Sequence, residues 1–379
     1  MDLPKALNGK RILLISPQPW DHLPVSKHHY AEALGRANAV MFLSPPDYGL
    51  PPGALNRRAT GTSGVDEIRW RPRVPRVLRF HAPALYGLLI AHEARRLAAW
   101  TGGAPDLVWC FDFNTFPDLR AFGAARAIFH PVDPIATRRQ ARIGATADLV
   151  LSVSAEILGS VTREVPEVPA EVVPHGIGAE FLELAGEAET WSGPSGHCGY
   201  FGNLDRPAID VPLLAQVVAA NPGVTFHFWG PTAPDGPFVT ALGGQPNVRL
   251  HGPVAKDELV RQVRGMDAFL LAYREHGAES DLSNSHKILE YFATGRVVVA
   301  TYMSCHAEAA DLLLRTQRGD SAAFPYLFAR VMADLATHNA DDRMARRKAL
   351  AAGHGYGALI QRIGRLLDRA DRTIEETAR

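Results

Sequence analysis

The sequence predicts an α/β protein built from two Rossmann-like domains, each a parallel sheet with helices on both faces. Short apolar runs alternate with helical patterns along the whole chain, as they do in parallel sheets. A length of 379 residues suits about two domains. Prolines and glycines are frequent in residues 166–186. We therefore interpret this segment as a linker between an N-terminal domain (1–175) and a C-terminal domain (176–355).

The first half opens with a β–loop–α–β unit. Its predicted strands are 11–15, 40–43, 106–111, 127–129 and 147–153, with helices at 27–34 and from about 155. Such sheets bind ligands where the strands end at the carboxyl edge. The loop after the first strand lacks G-x-G-x-x-G, so an NAD site is not predicted.

The second half repeats this alternation. Its predicted strands are 198–201, 225–229, 248–251, 268–272 and 297–300, and its predicted helices are 211–220, 256–264, 322–338 and most of 341–379. One more helix follows Ser283, Asn284 and Ser285, any of which can cap it. Gly295 can end that helix in the left-handed conformation.

Composition excludes several classes of protein. A hydrophobic content of 46% and a charged content of 21% are those of a globular protein, and the net charge of zero gives no reason to expect nucleic acid as a partner. The three cysteines are far apart and lack metal-ligand spacing, which favours a reducing compartment over a disulfide framework. No apolar run reaches the length of a membrane span, and residues 11–16 indicate a strand rather than a signal peptide.

The helix before Gly295 carries the most informative polar residues. Lys287 lies in its first turn, beside free N–H groups and the positive end of the helix dipole, a combination that binds phosphate well. Glu290 follows on the same side and can accept hydrogen bonds from sugar hydroxyls. The alternative is an amphipathic helix with a solvated Lys–Glu pair, because short motifs often match by chance.

Glycines end three predicted strands of the second half, at Gly202, Gly230 and Gly252. Glycine lets a nucleotide approach the backbone and can supply N–H donors. Arg206 would join Lys287 as the second cation on a diphosphate.

Polar residues also follow the predicted strands of the first half. They are Trp20, Asp21, His28 and His29 after the first strand, and Asp112, Asn114, His130 and Asp133 after later ones. Trp20, Asp21 and His28 are candidate acceptor contacts at the crevice. In the structural alternative, Trp20 fixes the loop, the histidines are solvated and Asp133 caps a loop.

Residues 45–80 differ in composition from the rest of the chain. Between residues 57 and 79, seven arginines face only Asp66 and Glu67, and aromatic residues are interleaved nearby. The arginines are Arg57, Arg58, Arg69, Arg71, Arg73, Arg76 and Arg79. Such a surface suits anionic lipid headgroups or a lipid-diphosphate acceptor. The alternative is a solvated variable loop.

Several stretches together resemble a known enzyme family. CGYFGNLDRPAID, FHFWGP, NVRLHGPVAKDEL and SNSHKILEYFATGRVVVAT are similar to the nucleotide-sugar half of two-domain (GT-B) glycosyltransferases. SPQPWDHLPVSKHH, DLVLSVSAEIL and VVPHGI are similar to the other half. The resemblance is to bacterial polysaccharide enzymes of the family 4 type and to the glucuronosyltransferase of xanthan synthesis. It covers the chain apart from roughly residues 45–100.

This resemblance implies roles for individual residues. Lys287 and Arg206 would bind the donor diphosphate, and Glu290 the ribose. The full donor set would be Gly202, Asn203, Arg206, Gly230, Val254, Asn284, Ser285, His286, Lys287 and Glu290. Asp133 matches the general base of the xanthan enzyme, which takes the proton from the acceptor hydroxyl.

The resemblance has departures that bear on mechanism. Many retaining members carry E-x7-E, and Glu290 matches its second glutamate, whereas the first falls at Leu282 or Ser283. No lysine follows Arg206 closely. Both departures favour an inverting reaction with Asp133 as the base. No D-x-D motif stands where a metal-bound nucleotide would need it, and GT-B enzymes generally do without a metal, so we expect neither metal nor cofactor.

The sequence therefore predicts a metal-independent glycosyltransferase of the hexosyltransferase type. Its donor would be a UDP- or GDP-sugar, and its acceptor a lipid-linked or polysaccharide-precursor glycan. The resemblance implies two domains facing across a cleft, with residues 356–379 returning to the N-terminal domain as a helix. We expect a cytoplasmic protein, with residues 57–79 as a candidate contact to the inner face of the membrane. A nucleotide-sugar epimerase or phosphorylase and a non-catalytic nucleotide-sugar-binding module stay open as alternatives.

Overall fold

The computed structural model describes residues 3–22, 24–133, 138–188, 190–275, 286–303, 309 and 311–377. The chain divides into two compact units. The first consists of Met1–Pro174 together with Tyr356–Arg379, and the second of His175–Gly355. These boundaries adjoin the predicted ones at residues 175 and 355.

The first unit is built on a mainly parallel sheet. Its strands are β1 (Arg11–Ile15), β2 (Ala39–Leu43), β3 (Leu55–Ala59), β4 (Val65–Trp70), β5 (Leu107–Cys110), β6 (Arg126–Phe129), β7 (Leu149–Ser152) and β8 (Ala170–Val172). In the described part of the chain they lie in the order β3-β4-β2-β1-β5-β6-β7-β8, and β3 and β4 pair antiparallel. The order reverses between β1 and β5, so the carboxyl ends of these strands form a topological switch point.

The second unit is built on a parallel sheet. Its strands are β9 (His197–Phe201), β10 (Thr225–Trp229), β11 (Val248–Gly252), β12 (Ala268–Leu271), β13 (Val297–Ala300) and β14 (Leu313–Arg315). Among the described residues their order is β11-β10-β9-β12-β13-β14. β13 is buried along its whole length, as its unbroken apolar sequence predicts. The switch point lies between β9 and β12.

Helices cover both sheets. They are α1 (Ser26–Gly35), α2 (Leu78–His81), α3 (Pro83–Trp100), α4 (Arg138–Gly144), α5 (Ala155–Thr162), α6 (Ala179–Gly186), α7 (Val211–Ala220), α8 (Pro237–Leu242), α9 (Lys256–Val263), α10 (His286–Ala293), α11 (Phe324–Ala333), α12 (Leu335–His338), α13 (Asp341–Ala352) and α14 (Tyr356–Thr377). Gly295, with φ of 78°, ends α10 in the left-handed conformation, as predicted.

The last helix, α14, belongs to the first unit. Its apolar residues Leu359, Ile360 and Ile363 share a buried cluster with Ile12 of β1 and Leu34 of α1. In the described part of the chain, no helix combines the length and the apolar character needed to cross a membrane.

The structure differs from the sequence-based expectations in three local features. The predicted linker at 166–186 contains strand β8 of the first unit and helix α6 of the second. Residues 45–80 contain the hairpin β3–β4 rather than a loop alone. The charged sequences of these strands hide them, because β3 is an edge strand with an exposed outer side. The long helix α3 was also missed.

Candidate functional site

The strand ends of the second unit form tight glycine turns at its switch point. Gly202 and Gly230 have φ of 137° and 140°, a region that other residues rarely adopt. A Cβ on Gly230 would collide with the carbonyl oxygen of Gly202. The prediction that these glycines offer free N–H groups is wrong. The amides of Gly202 and Gly230 donate to the carbonyls of Trp229 and Gly252, each at 2.8 Å. Their missing side chains let the backbones of Gly202 and Gly230 lie against each other.

Lys287 lies in the space that Gly202 leaves. The lysine is buried, and its Nζ would lie 2.6 Å from a Cβ on residue 202. Nζ donates to the hydroxyls of Tyr200 and Tyr273, each at 2.9 Å, and lies 4.9 Å from the centre of the Tyr200 ring. The alternative of a solvated Lys–Glu pair is therefore excluded for Lys287.

The two tyrosines differ in their electrostatic state. Burial raises the pKa of Tyr200 well above its usual value, so it stays a neutral phenol. Burial also acts to raise the pKa of Tyr273. The charge and hydrogen bond of Lys287 and the bond from Tyr200 outweigh that effect, and the pKa of Tyr273 falls below 10.0. Two phenol oxygens therefore accept hydrogen bonds from the buried Lys287 side chain.

Backbone and side-chain hydrogen bonds fix this cluster. The Tyr273 amide donates to Thr301 Oγ1 at 2.9 Å, and the same hydroxyl donates to the Tyr273 carbonyl at 2.8 Å. Tyr291 of α10 accepts a hydrogen bond from the Phe201 amide at 3.2 Å, which ties α10 to the end of β9. The tyrosine partners of Lys287 were missed in the sequence, since nothing in their spacing from Lys287 shows that they meet.

Arg206 lies beside the same tyrosine. Its guanidinium carbon is 5.7 Å from the centre of the Tyr273 ring, and the side chain is exposed. The loop that carries Arg206 is held by a bridge between Ile209 and Tyr273. Two positively charged side chains therefore lie beside Tyr273. Lys287 is buried, and Arg206 is exposed to solvent.

The other predicted donor residues of the described chain differ in their exposure. Asn203 is exposed, and its side-chain oxygen accepts from the Asp205 amide at 2.9 Å. Val254 is half-buried against the core of the unit, and Glu290 is buried within α10. His286 begins α10. Asn284 and Ser285 lie outside the described residues.

The first unit contradicts one predicted acceptor contact. His28 is buried, its Nδ1 accepts from the Val25 amide at 3.2 Å, and its Nε2 lies 3.0 Å from the Pro19 carbonyl oxygen. Both ring nitrogens are therefore used in shaping the loop before α1, and His28 is structural. Trp20 packs edge-on against Phe42 at 5.0 Å, in agreement with the alternative that it fixes the loop.

Asp21 remains open to solvent at the tip of that loop, with Arg58 3.9 Å away. Several nearby arginines are engaged in ion pairs and so contribute less positive surface charge than their number suggests. Arg58 pairs with Glu67 at 2.7 Å, and Arg69 pairs with Asp47 at the same distance. Arg57 pairs with Asp66. The hairpin β3–β4 is therefore an ion-paired edge, and the prediction of a broad basic surface over residues 57–79 is wrong for this part.

Asp133 is exposed, just beyond β6, and has an unexpected neighbour in Lys27 of α1. Lys27 is buried, and burial lowers its pKa, while Asp133 and Asp112 act against that shift. A buried lysine between two carboxylates at the strand ends is an arrangement found at functional sites. Sequence analysis did not single out Lys27, because its pattern is that of an ordinary helix residue.

A cavity of about 290 Å³ opens at the strand ends of the first unit. The polar residues of its lining are Tyr48, Arg76, Arg79, Tyr86, Asp112, Asn114 and Thr115. Asp112 accepts from the amides of Asn114 and Thr115 at 2.8 and 3.1 Å, one bond on each carboxylate oxygen. Arg79 donates to the Asn114 carbonyl at 3.1 Å, yet its Nε is buried with no hydrogen-bond partner among the described residues. The cavity therefore has a cationic wall.

Residues 196–334, which contain the Lys287 cluster, match a family model. That model is described as glycosyl transferases group 1. The match covers most of the second unit and none of the first. The chain matches no curated protein sequence.

Solved structures resemble the chain over nearly its whole length. A sucrose-phosphate synthase from Thermosynechococcus elongatus is 14% identical, with a TM-score of 0.66 and coverage of 96% of this chain and 99% of that one. An α,α-trehalose 6-phosphate synthase from Burkholderia multivorans is 12% identical, with a TM-score of 0.66 and coverage of 98% and 99%. HepE from Anabaena, solved with UDP and glucose, is 15% identical, with a TM-score of 0.63 and coverage of 95% and 99%. Likeness at this identity establishes the fold, which is the two-domain GT-B fold.

Proposed function

We propose that the protein is a glycosyltransferase that moves a hexosyl group from a UDP- or GDP-sugar to a hydroxyl acceptor. The observation that carries the proposal is the pair of cations, Lys287 and Arg206, beside Tyr273 at the switch point of the unit that matches group 1 glycosyl transferases. Two fixed positive charges at the end of parallel strands suit the two negative charges of a diphosphate.

Lys287 is suited to this task because it is already desolvated and oriented. An ammonium held by phenol hydroxyls can exchange one of them for a phosphate oxygen without first losing water. Glu290, in the same helix, would accept from the ribose hydroxyls. A uridine nucleotide is favoured, since HepE was solved with UDP and with UDP-glucose.

The acceptor would use the cavity of the first unit. Burial lowers the pKa of Arg79, and the positive charges of Arg139 and Arg76 act in the same direction. An anionic group in the cavity would relieve that repulsion and could accept from the buried Nε. A lipid-linked or polysaccharide-precursor acceptor that carries a phosphate fits this chemistry.

In the transfer step, Asp133 would act as the general base. The acceptor oxygen loses its proton to the Asp133 carboxylate as it bonds to the anomeric carbon, and the bond from that carbon to the diphosphate oxygen breaks. The nucleoside diphosphate leaves with its new negative charge stabilised by Lys287 and Arg206. This is an inverting, metal-independent scheme. The finer kinship with family 4 enzymes and the xanthan glucuronosyltransferase is part of the same proposal.

The test is calorimetric titration with UDP and GDP, followed by product analysis with UDP-glucose and GDP-mannose. We expect one nucleotide to bind the wild type, and Lys287→Ala to weaken that binding about a hundred-fold, as expected for loss of a charge-assisted contact. Arg261→Ala is the matched control, because Arg261 is an exposed arginine of α9 that pairs only with its own helix in the described chain. Binding unchanged in Lys287→Ala would refute the site.

Product analysis separates the alternatives. Nucleoside diphosphate released only when a glycan acceptor is added supports a transferase. Sugar 1-phosphate formed with inorganic phosphate would indicate a phosphorylase, and a changed sugar configuration an epimerase. Tight nucleotide binding without any turnover would indicate a binding module.

A further inference from the structure

The outer face of α2 and α3 is unusually apolar. Half of the large hydrophobic side chains that are exposed in the described part of the chain fall within residues 77–89. They are Val77, Phe80, Leu85, Leu88 and Leu89, with exposed fractions of 55%, 57%, 47%, 73% and 38%. We call this set the apolar face. Soluble proteins seldom leave such a cluster uncovered unless it serves as a contact surface.

The apolar face does not result from incorrect packing of α3. α3 has a well-formed inner side, on which Tyr86, Ile90, Ala94 and Leu97 are buried in the core of the first unit. A surface helix with one such side is expected to be polar on the other. In α3 the exposed side instead carries Leu85, Leu88 and Leu89 in its first turns, and its first exposed polar residue is His92.

Arginines surround the apolar face. The guanidinium carbons of Arg79 and Arg139 lie 4.7 and 5.4 Å from the centre of the Phe80 ring. Arg142 of α4 reaches α3 at Gly87, where a Cβ would lie 3.5 Å from its Nη2. Arg76 is exposed one residue before Val77.

Negative charge is nearly missing from this region. Between residues 71 and 100 the sequence has a single carboxylate, Glu93. Glu93 is buried on the inner side of α3 and pairs with Arg96 at 2.6 Å. The apolar face therefore has a cationic border that no exposed carboxylate of α2 or α3 offsets.

We propose that the apolar face docks the first unit on an anionic lipid bilayer. Phe80 and the three leucines would enter the boundary between headgroups and acyl chains, and the arginines would contact the phosphates. A second copy of the chain fits less well. A two-fold contact through this face would bring the same arginines against one another, with no carboxylate between them. Docking needs no donor, so this proposal does not depend on the transferase activity.

The experiment is flotation of the full-length protein with vesicles of phosphatidylcholine, and of phosphatidylcholine mixed with phosphatidylglycerol. We expect the wild type to float with the anionic vesicles and to bind the neutral ones much more weakly. Leu88→Asp and the pair Arg139→Glu, Arg142→Glu should each weaken vesicle binding about ten-fold or more. The variants act separately on the apolar and cationic parts, and all three side chains are exposed, so folding should be preserved.

Tyr326→Asp is the matched control, because Tyr326 is a large side chain on a helix of the second unit with 69% exposure. It should float like the wild type. Wild type that stays in solution with both vesicles would overturn the proposal, as would Leu88→Asp that floats normally. A wild-type dimer that Leu88→Asp converts to monomer, with neither form floating, would assign the face to a second copy instead. Nucleotide binding measured on the same samples keeps a failure here distinct from a failure of the donor site.

Discussion

Lys287 lies directly beneath Gly202, so close that a Cβ at residue 202 would fall 2.6 Å from the lysine Nζ. The position of Lys287 thus depends on Gly202, because a side chain at residue 202 would occupy the space that the lysine fills. A substitution at Gly202 can therefore test the role of Lys287.

Gly202→Ala should displace Lys287 and weaken nucleoside-diphosphate binding by about ten-fold or more, as expected for a lost charge-assisted contact. Backbone strain at φ of 137° adds a loss of stability. Titration calorimetry and thermal unfolding measure the two effects. Gly319→Ala is the control, because Gly319 also has positive φ but a Cβ there would meet nothing within 4 Å. Equal affinity in wild type and Gly202→Ala would show that Lys287 does not bind the nucleotide.

Tyr273→Phe should lower the free energy of unfolding by about 2 kcal/mol, because it removes an acceptor from a buried ammonium. Urea unfolding gives the value. Tyr326→Phe, at an exposed tyrosine, should change stability by less than about 0.5 kcal/mol. A Tyr273→Phe protein as stable as the wild type would mean that Tyr200 alone satisfies Lys287.

Asp133→Asn should keep donor affinity and lower turnover at least about a hundred-fold, since the amide cannot take a proton. Calorimetry and product release are measured on the same sample. Glu167→Gln, at an exposed carboxylate of the first unit, should leave both unchanged. An active Asp133→Asn enzyme would assign the base to another group.

Lys27→Met should raise the free energy of unfolding by about 1 kcal/mol, because it removes a buried charge and keeps the shape of the side chain. The pKa of Lys27 is lowered in the folded protein. Between that pKa and 10.5 the unfolded chain holds a proton that the native chain lacks, so wild-type stability rises with pH there. The variant should lack this rise. Urea unfolding at neutral and alkaline pH tests it, with the exposed Lys5→Met as control. The same pH dependence in both proteins would contradict the assignment.

His227 should make the second unit sensitive to acid. Its ring nitrogens lie 2.9 Å from His251 and 3.0 Å from His197, and burial together with these neighbours lowers the pKa of His227 to about 4. A histidine with a lowered pKa binds fewer protons than the unfolded chain, so stability falls as pH drops from 6.5 towards 4. After discounting for partial exposure, the loss is at most about 2 kcal/mol. His227→Phe should remove that part of the pH dependence in urea unfolding, whereas His92→Phe, at an exposed histidine, should retain it.

Much of the fold was readable from the sequence for a physical reason. A strand buried on both faces, such as β13, has an unbroken apolar sequence, and glycines mark the ends of β9, β10 and β11. Alternation of these runs with helices predicted both sheets, and the prediction of a two-domain α/β fold is confirmed. The position of the nucleotide site at a strand end follows from the same pattern, but the individual donor residues stay predictions.

The features that the sequence analysis missed also have a physical reason. Patterns report which side of an element is apolar, and they do not report which polar groups meet. The partnership of Lys287 with Tyr200 and Tyr273 joins residues from three elements. The structural role of His28 depends on the Val25 amide and the Pro19 carbonyl, and backbone groups carry no sequence signal. The helix α3 was not predicted, because leucines on its outer side weaken the amphipathic pattern that indicates a surface helix.

The C-terminal helix α14 changes how the chain can be divided. The second unit starts and ends side by side, since the Ile177 amide donates to the His354 carbonyl at 3.0 Å. It is therefore an insertion whose two ends meet, and such a module can be exchanged between related chains as a cassette. Removing the residues after Gly355 looks like trimming a tail, yet it would strip Leu359, Ile360 and Ile363 from the core of the opposite end of the sequence.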